Sequence, residues 1–431
     1  MPKPAYSKIP HSIGKIPYLL KLELWINTQD NALMKITRIE TTQIPGNAGL
    51  LLCRVHTDAG LIGCGESFYI PRAVAAVIHD WMAPRLIGAD AFDIEGHWRF
   101  LYERATNFGS RGAELRAISA IDLALWDIKG QAANMPVWQL LGGKTQDGVR
   151  IYSSIGYGKQ TPVKTGMWPG YGQVGEPGPL NDYWRVLQEP ATLARELVTE
   201  GIGGLKLWTT DFAAHKLNGS IYVSYADLEK AMEPFFAIRD AVGRQLELIL
   251  DGHGFFQLPM ALRVAEVIRA VDPLCLEDVI RPDCVDTIRD FRAQSRLPLA
   301  VSEMMISAED YRMVLEKRAA DYIMIDPTWV GGISQTLKIT DSAQNYNVPV
   351  MMHDCTGPLT LIAGVHVGVA RANVAWQETV RSNLRVTYPQ MVTEFPTVKD
   401  GRMLAPETPG LGTAWREELF ADPAQVEVTQ I

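Results

Sequence analysis

The chain has 431 residues, 47% hydrophobic and 21% charged, the balance of a folded protein with room for two domains. Its 41 Lys and Arg stand against 49 Asp and Glu, and the net charge of −8 leaves no basic footprint for nucleic acid. No segment approaches the roughly 18 apolar residues of a membrane-spanning helix. The apolar piece Tyr18-Leu-Leu20 is cut by Lys21 and Glu23, so no signal peptide is expected. Cys53, Cys64, Cys275, Cys284 and Cys355 form no C-x-x-C pair, which predicts reduced, mostly buried thiols in a cytoplasmic protein.

Residues 1–31, with Pro2, Pro4, Pro10 and Pro17, read as an extended arm, expected to pack on another subunit of a homo-oligomer or to stay unstructured. Residues 32–149 read as an α+β unit. Strands are predicted over Met34–Thr42, Leu50–Thr57 and Leu61–Glu66, with a turn at Asp58-Ala-Gly60. Helices are predicted over Arg72–Leu86, Ile94–Asn107 and Glu114–Ala133. In the last, Ile118, Ile121, Leu125 and Ile128 recur at helical spacing, predicting one buried face. Val137–Leu141 reads as a short helix stopped by Gly142-Gly143.

From 150 to 392 the rhythm is strand then helix. Short apolar runs begin at Arg150, Gly204, Leu246, Pro273, Pro298, Asp321, Val348 and Asn373. Continuous apolar runs of this length predict strands buried on both faces. Helices are expected over Pro259–Ala270, Cys284–Gln294, Ala308–Lys317, Ser334–Asn345 and Pro358–Ala370, two of them with proline at the first helical position. Eight such units predict an α/β fold, a (β/α)₈ barrel capped by the N-terminal unit. Residues 393–431 hold no further unit and are expected to return to the cap and complete it. Gly170-x-Gly172-x-x-Gly175 matches the dinucleotide fingerprint by letters. No buried strand leads into it, and Pro177 and Pro179 follow where a helix should open. The Gly156–Pro179 segment therefore reads as a loop at the barrel mouth, placing Trp168 and Tyr171 over the site.

The polar residues fall at the strand ends, where barrel enzymes carry their chemistry. Asp251, Glu277 and Glu303 each follow an apolar run, each 26 residues after the last. One such acid is best explained as a helix cap. Three in register converge at one end of the barrel and suit a hard divalent cation such as Mg²⁺. Lys206, ending the second strand, is placed to meet an anionic substrate; its plainer reading is a solvated rim lysine. Asp326 and His353 end adjacent strands, and a carboxylate on one imidazole nitrogen makes the other a general base. His253 lies two residues past Asp251. The other six histidines read as structural. Glu378, ending the eighth strand, reads as a capping acid or as a protonated carboxyl able to donate to developing negative charge.

With these residues in view, the chain from Met34 to Gly412 resembles the enolase superfamily, mandelate racemase subgroup. The matching pieces are Leu61-Ile-Gly-Cys-Gly-Glu-Ser67, Ser119-Ala-Ile-Asp-Leu-Ala-Leu-Trp-Asp-Ile-Lys-Gly130, Leu276-Glu-Asp278, Ser302-Glu303, Ile325-Asp-Pro-Thr-Trp-Val-Gly-Gly-Ile333 and Gln377-Glu378. The resemblance implies an α+β cap over the barrel, Mg²⁺ on Asp251, Glu277 and Glu303, and removal of the proton α to a carboxylate. Mandelate racemase carries Lys-x-Lys on the second strand, whereas here Lys206-Leu-Trp208 lacks the second lysine. Asp251-Gly-His253 is similar instead to the acid-sugar dehydratases of the galactonate and mannonate kinds. That implies that His253 protonates a departing 3-hydroxyl while His353, Asp326, Lys206 and Glu378 serve the enolate. The expected product is a 2-keto-3-deoxy acid. A racemase or epimerase using the same enolate is the alternative, and a non-catalytic barrel protein a third reading.

Overall fold

The computed structural model describes residues 33–44, 47–156, 176–216 and 221–430. The 1–31 arm, its expected role in assembly, and the Gly170-x-Gly172-x-x-Gly175 motif with Trp168 and Tyr171 lie outside them. Among the described residues no helix is long and apolar enough to cross a membrane.

The cap begins with β1 (Ile36–Ile44), β2 (Asn47–Thr57) and β3 (Ile62–Phe68). They form an antiparallel meander, each strand displaced by one to three residues from its expected bounds. Helix α1 (Pro71–Ala76) runs through a π-helical stretch (Val77–Met82) into α2 (Ala83–Leu86). Then come α3 (Ile94–Ala105), α4 (Ala113–Ala133) and α5 (Val137–Leu140). The pair Gly63 and Gly65 has a packing reason. A Cβ there would come within 2.0 and 1.9 Å of the carbonyl oxygens of Ala124 and Ala120 on α4. Only glycine lets helix backbone approach strand backbone this closely.

Helix α4 is buried on two faces rather than the one expected. Ile118, Ile121, Leu125 and Ile128 pack into the cap core. Opposite them, Ser119 and Asp122 are equally buried because they bond to the barrel. Ser119 Oγ accepts from Gly331 N (2.9 Å), and Asp122 accepts from Ser334 N (3.1 Å). A polar face at helical spacing reads as solvent-facing unless its partners are known.

The second unit is a closed parallel barrel. Its strands are β4 (Val149–Ser154), β5 (Gly204–Leu207), β6 (Glu247–Asp251), β7 (Cys275–Glu277), β8 (Leu299–Val301), β9 (Tyr322–Ile325), β10 (Val350–Met352) and β11 (Val374–Val380). Pairing of β11 with β4, from Trp376↔Arg150 to Val380↔Ser154, closes the ring. Around it lie α6 (Asp182–Gln188), α7 (Pro190–Thr199), α8 (Thr210–Lys216), α9 (Tyr225–Val242), α10 (Leu258–Ile268), α11 (Val285–Ser295), α12 (Ala308–Lys317), α13 (Gly332–Asn345) and α14 (Pro358–Ala370). The last five match the expected helices to within two residues. The first four add to them. Helix α9 carries Pro234 inside it, a residue that ordinarily breaks a helix, and α6 and α8 have seven residues each.

Inside the ring, Tyr152, Ile249, Cys275, Ala300, Met324, Met351 and Trp376 fill the floor. Side chains two residues apart share a strand face. Two residues beyond that floor stand Asp251, Glu277, Ser302, Asp326, His353 and Glu378. The barrel's period thus aims one layer of polar groups into the same interior, directly above an apolar plug. Glu303 is out of phase by one, just past the end of β8.

The closing segment forms a short hairpin, β12 (Val398–Lys399) and β13 (Arg402–Met403), then β14 (Val426–Gln430). It returns to the cap as expected. Strand β14 pairs with β1 from Arg38↔Gln430 to Thr42↔Val426. Trp415 Nε1 donates to Cys53 and Gly65 carbonyls, both at 3.2 Å.

Candidate active site

The register sets Asp251 beside Glu277 on neighbouring strands, with Lys206 rising from β5 between the acids. Lys206 Nζ lies 2.6 Å from Glu277 Oε1, 2.8 Å from Glu378 Oε1 and 3.3 Å from Asp251 Oδ2. All four side chains are buried. Burial pulls the ammonium down, but Glu277, Glu378 and Asp251 outweigh it and hold Lys206 well above its ordinary value. It is a fixed cation, not a rim lysine. Glu378 also accepts from Tyr152 OH (3.2 Å). With Lys206 and Tyr152 on its two oxygens, it acts here as an acceptor.

The expected metal ligands were Asp251, Glu277 and Glu303. Burial and the nearby acids work against the charge of Glu277, and the Lys206 ammonium on its Oε1 opposes them. Its Oε2 and the Oε2 of Glu303 are buried without a hydrogen-bond partner. Among the described residues, no three His, Cys, Asp or Glu side chains stand close enough to hold an ion as placed; Lys206 occupies the neutralising position on Glu277 and Asp251. By donor type and unmet oxygens the residues still fit a hard cation, since isolated buried carboxylate oxygens are costly. Asp278, beside Glu277, accepts from Ser302 Oγ, and burial with Glu303 and Glu277 pushes it up.

The histidines stand at the two ends of this cluster. His253 leaves the strand with φ +44, and its Nε2 comes 3.3 Å from Asp251 Oδ2. Its Nδ1 is 2.9 Å from Asp211 Oδ2. Burial pulls the imidazole down, but Asp251 and Asp211 raise it to about 9. Asp211 was not foreseen. It sits in α8, four residues past the end of β5, where no helix was expected, and an acid there gives no signal without the fold.

At the other end, His353 Nδ1 is 2.8 Å from Asp326 Oδ2, and its Nε2 lies 3.9 Å from Glu378 Oε2. Thr328 donates to Asp326 Oδ1 through both N (2.8 Å) and Oγ1 (2.7 Å). Asp326 therefore cannot rotate away, and the tautomer of His353 is set with Nε2 open to the site. Burial pulls His353 down; Cys355, Glu378 and the bond to Asp326 hold it well above its usual value. Cys355 Sγ is 3.7 Å from Nε2, another neighbour not foreseen. Burial pushes that thiol up too. The remaining described histidine side chains are structural: His79 bonds Thr41, His97 bonds the Asp90 carbonyl, His366 the Leu411 carbonyl, and His56 pairs with Glu40.

The site thus brings together the lysine, both histidines, Asp326, Glu378 and two of the three expected ligands, with Glu303 at the edge near Asp278. A proton acceptor, a fixed cation, a set of acids and a second imidazole in sequence suit removal of a proton next to a carboxylate.

Two family descriptions match the chain. "Mandelate racemase / muconate lactonizing enzyme, N-terminal domain" covers residues 31–142, and "Enolase C-terminal domain-like" covers 189–419. Among solved structures, an enolase of the mandelate racemase subgroup from Agrobacterium tumefaciens is 33% identical, with 92% of this chain and 99% of that chain covered and a TM-score of 0.81. An enolase protein from Sargasso Sea environmental sequencing is 32% identical over 93% of this chain and 100% of its own, with a TM-score of 0.82. A Zymomonas mobilis protein named provisionally as a dehydratase is 28% identical, with 92% and 99% covered and a TM-score of 0.78. The chain belongs to the enolase superfamily, as an enzyme of the mandelate racemase subgroup.

Proposed function

We propose that this enzyme dehydrates a sugar acid in a Mg²⁺-dependent reaction. His353, oriented by Asp326, takes the proton α to the substrate carboxylate through Nε2. Lys206 faces the negative charge that develops on the enediolate. His253, held by Asp211 through Nδ1, gives a proton to the 3-hydroxyl as it leaves, and the enol tautomerises to a 2-keto-3-deoxy acid. Mg²⁺ held by Asp251, Glu277 and Glu303 would supply further positive charge for the enediolate. The observation that carries this reading is the pair of imidazoles at opposite ends of the Lys206 cluster, each fixed on Nδ1 by its own buried acid. The name of the Zymomonas relative and the absence of a second lysine beside Lys206 also support dehydration. A screen of mono- and di-acid sugars with Mg²⁺, read by semicarbazide for keto acids, tests it. Keto acid from at least one substrate, lost in His353→Asn, is expected; full dehydration by His353→Asn would sink the base assignment.

The likeness of the two imidazole–acid pairs also favours a second reading, epimerisation with His253 returning the proton to the opposite face. Turnover in D₂O separates the two, because an epimerase exchanges the α-hydrogen and forms no keto acid.

A further inference from the structure

One cation at the barrel mouth is not used by this chemistry. Arg116 projects from α4 of the cap, and its guanidinium lies 4.2 Å from the ring centre of Trp329 and 5.4 Å from that of Tyr69. The Trp329 ring is in turn 5.3 Å from the His353 ring. Both measurements share Trp329, so the guanidinium is at most about 10 Å from the proposed base. A six-carbon acid spans less than that between its two ends, at about 1.3 Å advance per bond.

Arg116 is half-buried and has no anionic partner among the described residues. Its hydrogen bond is to the Phe68 carbonyl (2.9 Å), and among the described residues it forms no ion pair, unlike the cap arginine Arg54, which pairs with Glu417. Burial pulls the guanidinium below its ordinary value, with only the longer-range field of Asp326 and Tyr69 opposing it. A second donor is unmet beside it: the Nε1–H of Trp329 is buried with no acceptor. Contact with the Trp329 face offsets only part of what a half-buried cation loses in leaving water. A cation with no anionic partner among the described residues, stacked on a ring whose own N–H is unmet, stands at the edge of the proposed substrate site and suits an anion.

We infer that Arg116 and Trp329 form a subsite for a second carboxylate at the far end of the substrate, so that the enzyme acts on sugar diacids in preference to monoacids. The inference rests on the sugar-acid reading. The cap would then choose the distal group while the barrel acts on the proximal one. Arg116 neither takes nor gives the reacting proton; it binds.

The test compares stereochemically matched pairs of hexose monoacid and diacid on the Mg²⁺-loaded enzyme, by calorimetric binding and by kcat/KM. Wild type should prefer the diacid tenfold or more. Arg116→Gln should lose tenfold or more on the diacid and under threefold on the monoacid, mostly in KM, and Arg116→Lys should recover part of it. Trp329→Phe, which keeps the ring, should lose a smaller share of the same preference. Equal binding of both members of every pair by wild type, or an unchanged preference in Arg116→Gln, would overturn the subsite. If Arg116→Gln does not fold, the wild-type pair comparison and Trp329→Phe still decide. Diacid preference in binding with no keto acid formed would retain the subsite and reject dehydration, so the two ideas fail separately.

Discussion

Buried carboxylates crowd two regions of this molecule, the barrel mouth and the seam where the cap meets the barrel. At the seam each acid has backbone donors of its own. Glu66 Oε1 accepts from Thr360 N and Oγ1, both at 2.6 Å. Asp122 accepts from Ser334 N, and Asp127 from Leu411 N (2.8 Å) and Cys64 N (2.9 Å). At the mouth, Asp251, Glu277 and Glu378 share one lysine, and the outer oxygens of Glu277 and Glu303 have no partner. Asp122 and Asp127 are met on both oxygens, whereas Glu66 is met on Oε1 alone and its Oε2 is as bare as those of Glu277 and Glu303. The difference therefore lies in what answers each acid. Seam acids draw donors from the opposing unit and so dock the two, while three mouth acids converge on one ammonium.

The contrast is most exposed to changes at the mouth. His353→Asn and Glu303→Gln should each lower kcat by about 10²–10³ or more, with calorimetric unfolding close to wild type; a comparable loss of thermal stability would make them seam-like. Chelation should act the same way: dialysis against EDTA should abolish turnover and Mg²⁺ should restore it, with circular dichroism unchanged throughout.

At the seam the effect should move to stability. Asp122→Ala strips a buried acceptor from Ser334 N and Oγ, which should cost about 1–3 kcal/mol in urea unfolding. KM and kcat should shift far less than in the mouth variants.

A last effect at the seam is one of pH. Burial raises Glu66 to about 7, above the value of an exposed glutamate. A carboxyl with a raised folded-state value contributes stability fully present below about pH 4.3, and that contribution is lost as pH rises through about 7. Glu66→Gln should flatten the unfolding free energy across this window by up to about one proton, some 1.4 kcal/mol per pH unit. An unchanged slope would mean that the Thr360 donors keep Glu66 ionised.

The mouth was legible in the sequence for a physical reason. Barrel strands are short and buried on both faces, so the apolar run ends where the polar layer begins. Asp251, Glu277, Asp326, His353 and Glu378 could be read from that edge alone. Their assignment to a family came from resemblance, not from spacing. Asp211, Cys355 and Tyr152 could not be read, because Asp211 joins from helix α8, Cys355 from the loop after β10, and Tyr152 from the floor layer of β4 beside Glu378 on β11. The two-faced burial of α4 was hidden as well. Asp122 and Ser119 look like solvent-facing residues until Ser334 and Gly331, more than 200 positions away, are set against them. Helix α9 was not expected, and it runs through Pro234 with Phe235 and Ile238 buried in the core beside it.

The pairing of β14 with β1 sets an order on synthesis. Strand β1 is among the first described parts to leave the ribosome, yet among the described residues its outer edge pairs with 426–430. Until those emerge, the nascent cap presents a row of open backbone donors and acceptors, the kind of edge that recruits other strands. Strand β14 is therefore a late clasp, and any shortened translation product that stops before it would carry an adhesive edge along with its otherwise foldable barrel.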